Sequence, residues 1–136
     1  MDKHTGIRSP RLQHVSLAIP KDMQDAVRTF YGGVLGLEEK PVPHTLQHLN
    51  LVWFAVGEDS MELHFVPDTI LPNPEESRHF CLEVDNLDEY RQKVTEAGYK
   101  IIETEPIPNR PRFFCRDPFN NRLEFTTILG DYREGQ

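Results

Sequence analysis

Four short stretches of the chain alternate apolar and polar residues in the way that a half-buried β-strand does. They include His14, His64, His79 and Glu124. In each stretch one face carries Val, Leu, Ile, Met or Phe, and the other face carries polar residues with a histidine or glutamate among them. The pattern predicts strands that cover a core with one face and line a shared concavity with the other.

Two longer stretches have apolar residues at helical spacing, Lys21–Leu35 and Leu87–Ala97. The second is preceded by Asp85 and Asn86, either of which is a plausible N-cap. A glycine follows each stretch, as is common where a helix ends. The spacing therefore predicts two helices, which we expect to pack outside the sheets.

The two halves of the chain repeat one another. Trp53 begins a hairpin in the first half and Phe113 begins one in the second. The closing strands both follow the pattern x-Leu-x-Phe, with His64 eleven residues after Trp53 and Glu124 eleven residues after Phe113. His64 is therefore predicted to occupy in the first half the place that Glu124 occupies in the second.

This repeat predicts an α+β fold made of two paired βαβββ modules with curled mixed sheets. The first module is predicted to cover residues 10–74 and the second residues 75–130, and together they form one domain. The length of 136 residues suits a single domain with a modest core.

The four polar-face residues are candidates for a metal site. If the sheets curl so that their polar faces meet, His14, His64, His79 and Glu124 converge on one point. Imidazole nitrogens and a carboxylate suit a first-row divalent metal. The alternative is that each is a solvated surface residue, but four such residues at matched positions of a repeat favour a shared site.

Composition narrows the class of partner. The net charge is −7 and no basic stripe is present, so we expect no nucleic-acid partner. No apolar run is long enough to span a bilayer, and the first residues contain no apolar signal segment, so we expect no membrane association and no secretion. Cys81 and Cys115 are far apart in the sequence and are expected to be free thiols, as in a cytoplasmic protein.

Two motifs carry a resemblance to a known family. They are FYGGVLGL at residues 30–37 and DPFNNRLEF at residues 117–125. With them, residues 12–128 resemble the vicinal oxygen chelate (VOC) superfamily, which includes glyoxalase I, bleomycin-resistance proteins, fosfomycin-resistance thiol transferases and extradiol dioxygenases. Asn120 replaces the usual glycine of the closing turn, and asparagine tolerates the positive φ that such a turn needs.

The resemblance implies a metal held by the first and last strands of each module. His14, His79 and Glu124 match three ligand positions. His64 falls at the fourth position by the internal repeat, although glyoxalase I enzymes usually have a glutamate there, and Glu62 is its rival. The implied cofactor is a divalent Zn, Ni, Mn or Fe ion acting as a Lewis acid, with Glu124 or Glu62 as a proton shuttle.

The resemblance leaves several functions open. The leading expectation is a metal-dependent lyase, isomerase or thiol transferase that acts on a small oxygen-bearing substrate. The alternatives are a drug-sequestering module of the bleomycin-resistance type and an extradiol-type dioxygenase. Relatives pair as homodimers, so we expect a homodimer here. Arg112 and Arg116, close to the last strand, are candidates for binding a substrate anion.

Overall fold

The computed structural model describes residues 9–58 and 60–135. The first half forms a four-stranded sheet with the strand order β1-β4-β3-β2. Its strands are β1 (His14–Ile19), β2 (Glu38–Lys40), β3 (Val52–Val56) and β4 (Met61–Pro67). Strand β1 runs parallel to β4, and the other neighbours are antiparallel.

The second half repeats this arrangement in a smaller sheet with the order β5-β7-β6. Its strands are β5 (His79–Glu83), β6 (Arg112–Arg116) and β7 (Arg122–Thr126). Strand β5 runs parallel to β7, as β1 does to β4. An isolated bridge between Ile102 and Phe114 lies where β2 lies in the first sheet. The predicted α+β fold with two mixed sheets is confirmed.

The first helix begins later than predicted. It comprises α1 (Gln24–Val27) and a π-helical continuation, Arg28–Val34. Asp22 has a φ of 65°, so the chain turns there and cannot yet be helical, contrary to the prediction of a helix from Lys21. The end agrees with the prediction, because Gly36 has a φ of 75°.

The second helix, α2 (Leu87–Glu96), lies where it was predicted. Of the two candidate caps, Asn86 is the N-cap, because its side-chain oxygen accepts a hydrogen bond from the backbone nitrogen of Glu89 at 3.1 Å. Two 3₁₀ segments, His44–Leu49 and Tyr132–Gly135, were not predicted. Within the described residues, no helix is long and apolar enough to cross a membrane.

One hydrophobic core joins both halves of the chain. Aromatic side chains from the π-helical continuation of α1 and from both sheets dominate it, and these are Phe30, Tyr31, Phe54, Phe65, Phe113 and Phe125. The odd-numbered residues of β1, β4, β6 and β7 face this core, and the even-numbered residues of β3 and β5 do, as the alternation predicts. The even-numbered residues of β1, β4 and β7 and the odd-numbered residues of β5 are therefore presented on the opposite faces of the sheets.

A buried polar network also joins the halves. The Tyr31 hydroxyl donates to Asp117 Oδ2 at 2.7 Å, and Asn121 Nδ2 donates both to Asp117 Oδ2 at 3.0 Å and to the carbonyl oxygen of Ala18 at 3.2 Å. Burial raises the pKa of Asp117, although the hydrogen bonds from Tyr31 and Asn121 act in the opposite direction. We call these residues the inter-half network.

Candidate functional site

Three rings and a carboxylate form a cluster on the polar face of the first sheet. The His64 ring lies between Trp53 and His14, with ring centroids 3.9 Å and 4.1 Å away and nearly parallel planes. His64 Nε2 lies 2.8 Å from Glu62 Oε1. Lys40 forms an ion pair with the other oxygen of Glu62. Adjacent strands thus place a stacked imidazole pair beside a carboxylate.

Glu62 is an ionised group at neutral pH. The hydrogen bond from Lys40, followed by the one from His64, lowers the pKa of Glu62 to about 2. The carboxylate accepts a hydrogen bond from Nε2 of His64, so that nitrogen carries a hydrogen and has no lone pair to offer a metal. Strand register places Glu62 directly beside His14, whereas His64 is paired with Ser16.

A side chain that sequence reasoning missed fixes the orientation of the His14 ring. Gln13 Nε2 donates to the carbonyl oxygen of Ser60 at 2.8 Å, so Gln13 Oε1 is the atom that lies 2.8 Å from His14 Nδ1. An amide oxygen can only accept, so His14 Nδ1 must carry the proton. The free lone pair of neutral His14 is therefore on Nε2, the usual arrangement for a histidine that binds a metal through Nε2.

The second sheet holds a pair with the same polarity. His79 Nδ1 lies 2.9 Å from the carbonyl oxygen of Ser77, which can only accept, so Nδ1 carries the proton. His79 Nε2 lies 3.0 Å from Glu124 Oε1. Arg112 Nη1 donates to the other oxygen of Glu124 at 3.3 Å. Glu124 is 8% exposed, so the carboxylate predicted to lie on the cavity face is held in a nearly buried position.

The proton on Nδ1 of His79 determines how its Nε2 interacts with Glu124. In a neutral His79 with its proton on Nδ1, the Nε2 lone pair faces a carboxylate oxygen, and the two repel one another. A cation between them, either a proton or a metal ion, removes the repulsion. Imidazole nitrogen and carboxylate oxygen are both ligands of first-row divalent metals, so His79 and Glu124 would suit two of the ligands of such an ion.

A cavity of about 550 Å³ lies between the free edges of β1 and β5. His14 and Glu62 line it from the first half, and His79 and Cys81 line it from the second. His64 and Glu124 are bonded to Glu62 and His79, respectively. The polar faces of both halves therefore contribute to one cavity. Its volume is typical of a site that binds a small molecule.

The donors come in two groups rather than one. Among residues 9–58 and 60–135, no three His, Cys, Asp or Glu side chains are placed closely enough to hold a metal ion. His14 and Glu62 form one group, and His79 and Glu124 form the other; we call each a half-site. The donor types fit a first-row divalent metal, and each half-site supplies one imidazole and one carboxylate.

Strand register shows which positions are equivalent. Ser16, two residues after His14, is paired with His64, and Cys81, two residues after His79, is paired with Glu124, so His64 and Glu124 are equivalent as expected. Trp53 matches Phe114 rather than Phe113, because Glu124 comes ten residues after its partner Phe114, whereas His64 comes eleven residues after its partner Trp53.

The two arginines expected to bind a substrate anion are engaged elsewhere. Arg116 donates to the carbonyl oxygens of Asn120 and Glu76, and Arg112 donates to the carbonyl oxygen of Glu105 as well as to Glu124. Both fix loops to strands. The arginines that line the cavity are Arg78 and Arg122. The signal for Arg122 was its alternation with Glu124, which places both residues on one face of β7.

Cys81 is poorly suited to act as a nucleophile. Burial of its sulfur, and secondly the negative charge of Glu124, raise the pKa of the Cys81 thiol to about 12. Almost none of it is thiolate at neutral pH, and the thiolate is the reactive form.

The family model of the Glyoxalase/Bleomycin resistance protein/Dioxygenase superfamily matches residues 11–125. A protein described as a glyoxalase family member from Bacillus anthracis is 31% identical, and the match covers 88% of this chain and 96% of that one, with a TM-score of 0.78. FosX from Listeria monocytogenes, a fosfomycin resistance protein solved with Mn(II) and sulfate, is 14% identical over 92% of this chain and 95% of that one, with a TM-score of 0.72.

TnmS3, an antibiotic binding protein from Streptomyces sp. CB03234, is 17% identical over 89% of this chain and 98% of that one, with a TM-score of 0.67. A search of curated proteins returns no match to this chain. The last two structures share the fold at low identity, while the family model spans most of the chain. The chain belongs to the glyoxalase/bleomycin resistance protein/dioxygenase superfamily.

Proposed function

We propose that this protein is a divalent-metal-dependent enzyme that acts on a small oxygen-bearing substrate, as a lyase, isomerase or thiol transferase. The observation that carries the proposal is the pair His79–Glu124. Its 3.0 Å separation, with the histidine proton directed to Ser77, places an imidazole nitrogen and a carboxylate oxygen side by side, as two ligands of one metal ion would be.

Four residues would hold the metal, which would be Zn, Ni, Mn or Fe. His79 and Glu124 form one half-site, and His14 with Glu62 forms the other. We favour Glu62 over His64 as the fourth ligand. His64 Nε2 already donates a hydrogen bond to Glu62, and Glu62 lines the cavity. His64 then serves to position Glu62. When bound, the metal supplies Lewis-acid polarisation of substrate oxygens.

The chain also provides groups for proton transfer. Glu62 remains ionised at neutral pH, since Lys40 and His64 bond to it, and it can accept a proton from a substrate carbon or hydroxyl that enters the cavity. Glu124 is held by Arg112 on one oxygen, which leaves the other oxygen for the metal or for a proton. Glu62 and Glu124 are also the two carboxylates that the sequence analysis proposes as proton shuttles.

We propose that two copies form a homodimer in which the half-site of one copy meets the complementary half-site of the other. Support comes from the separation of the donors into two half-sites within a chain. Sedimentation velocity should give a particle of twice the chain mass of 15.8 kDa. A monomer that binds metal with full affinity would contradict the shared site.

Metal binding is tested by thermal shift with Mn²⁺, Ni²⁺, Zn²⁺ and Fe²⁺ on the wild type, His14→Ala and Glu124→Gln. At a free metal concentration one hundred times the dissociation constant, native-state binding should stabilise the wild type by about 2.7 kcal/mol. Both variants should lose most of this gain. His48→Ala, in the exposed 3₁₀ segment, is the matched control and should keep it.

Trp53 offers a second readout, because it is the single tryptophan of the chain and its ring stacks on His64 beside His14. Paramagnetic Mn²⁺ or Ni²⁺ bound at His14 should quench its fluorescence in a saturable manner. Absence of both a melting shift and quenching with all four metals would refute the enzyme proposal.

A specific observation also supports a second function, that of a sequestering module. The cavity is lined mainly by apolar side chains, and it exists in a chain whose half-sites are apart. The similarity to TnmS3 points the same way at the level of the fold. A ligand that binds equally well in EDTA and is recovered chemically unchanged would favour this function over the metal-dependent enzyme.

A further inference from the structure

We propose that the cavity binds an amphipathic organic acid, with its anionic group on Arg122 and its apolar body along the edges of β1 and β5. This deepens the proposed function and rests on the same site. The first observation is the lining. Apolar side chains from β1, β5 and the segment that joins the two halves surround the cavity, and they include Val15, Leu17, Ile70, Leu71, Phe80 and Leu82.

The rim of the cavity is also apolar. Leu12 is 62% exposed and Ile70 is 80% exposed, although both line the cavity. Large apolar side chains that are exposed next to one another around a cavity typically mark a ligand site. An apolar substrate body would cover them. A small, fully polar substrate would leave this surface exposed to water and would gain no binding free energy from it.

The charge balance of the lining is positive. Glu62 is the acidic residue of the lining, and Lys40 neutralises it through an ion pair. Arg122 and Arg78 are the basic residues. Arg78 is 85% exposed in its side chain and is paired with Glu76 at 2.7 Å, so it contributes less. The uncompensated charge at the cavity is therefore that of Arg122.

Arg122 is held in place for such a contact. Its guanidinium carbon lies 4.0 Å from the centroid of the Phe114 ring, and its Nη1 donates to the carbonyl oxygen of Ser77 at 3.1 Å. The stack and the single hydrogen bond fix the plane of the guanidinium, while a guanidinium has five N–H donors in all. A carboxylate matches the shape of the remaining fork, and the apolar lining beside it suits the body of an organic acid. Ser77 also orients His79, so the anion site adjoins the metal half-site.

The test measures octanoate and its uncharged analogue octanamide by isothermal titration calorimetry. The wild type should bind octanoate at least about tenfold more tightly, as a charged hydrogen bond is worth that much or more. Arg122→Gln should bring the two affinities together, and Arg122→Lys should keep part of the preference. Arg133→Gln removes an exposed arginine that pairs with Asp131, and it should behave as the wild type.

The titrations are run in EDTA and again with Mn²⁺, which separates the two proposals. A preference for octanoate in EDTA, together with no binding of Mn²⁺, Ni²⁺, Zn²⁺ or Fe²⁺ in the thermal-shift series, would refute the metal-dependent enzyme and leave the acid site intact. Equal affinities for octanoate and octanamide in the wild type would overturn the acid site, and so would an undiminished preference in Arg122→Gln. If Arg122→Gln does not fold, the wild-type ratio and the reduced preference of Arg122→Lys decide the question.

Discussion

Replacing Gln13 by leucine should weaken metal binding without weakening the fold. Gln13 is exposed, and its side chain donates to the carbonyl oxygen of Ser60 and accepts from His14 Nδ1, both at 2.8 Å, besides a weaker hydrogen bond to Glu62. Leucine removes the acceptor that keeps the His14 proton on Nδ1. The ring is then free to exchange tautomers and to rotate, so Nε2 is presented to a metal for less of the time.

Loss of such an orienting partner typically costs 10- to 100-fold in metal affinity. This corresponds to about 1.4–2.7 kcal/mol of binding free energy. The metal-free protein should change by no more than about 0.5 kcal/mol, since an exposed side chain away from the core is being replaced. Mn²⁺ titration followed by Trp53 fluorescence gives the affinity, and urea unfolding in EDTA gives the stability.

Gln92→Leu is the matched control, because Gln92 is an exposed glutamine on α2 whose side chain donates a hydrogen bond to Glu96 at 3.0 Å. A second comparison uses His14→Ala with and without Gln13→Leu. If Gln13 acts through His14, the second substitution should add nothing in the His14→Ala background. Wild-type Mn²⁺ affinity in Gln13→Leu, together with loss of binding in His14→Ala, would refute the orienting role.

Three further substitutions test the fold. Tyr31→Phe should cost about 1.5–3 kcal/mol at pH 7, because it strips a donor from the buried carboxylate of Asp117. Burial already raises the pKa of Asp117, and loss of the Tyr31 hydrogen bond should raise it further. The loss of stability in Tyr31→Phe should therefore shrink as pH falls through that pKa. Equal losses at pH 7 and pH 4 in urea unfolding would count against this. Asn86→Ala should cost about 1 kcal/mol in the same assay through loss of the cap on Glu89, and no change would contradict the cap. Gly36→Ala should cost about 1–2 kcal/mol at a φ of 75°, and an unchanged midpoint would contradict that.

Periodicity predicted most of the architecture, because strand alternation and helix spacing are properties of neighbours in the sequence. The parity of β4 placed Leu63 in the core and His64 on the opposite face, and both placements are observed. The repeat of hairpins predicted the two sheets. The start of the first helix was wrong, because the left-handed backbone at Asp22 depends on the turn after β1 and gives no periodic signal.

The site was predicted only in part, because hydrogen bonds between side chains follow no period. Alternation identified His79 and Glu124 on one face, and the structure joins them. It could not reveal that Gln13 orients His14, since Gln13 precedes the strand and looks like any exposed polar residue. Convergence of both half-sites on one metal stays a prediction.

The inter-half network has a consequence for how the protein can be divided. Its phenol comes from Tyr31 in the first half, and its carboxylate comes from Asp117 in the second. A fragment that ends between β4 and β5 would bury one of these groups without the other, while also exposing half of the aromatic core. Neither half should therefore be stable as an independent folding unit, although the two halves have the same arrangement of strands. Limited proteolysis in the joining segment should release no stable fragment, and amide protons of β1 and β7 should exchange with the same free energy of opening.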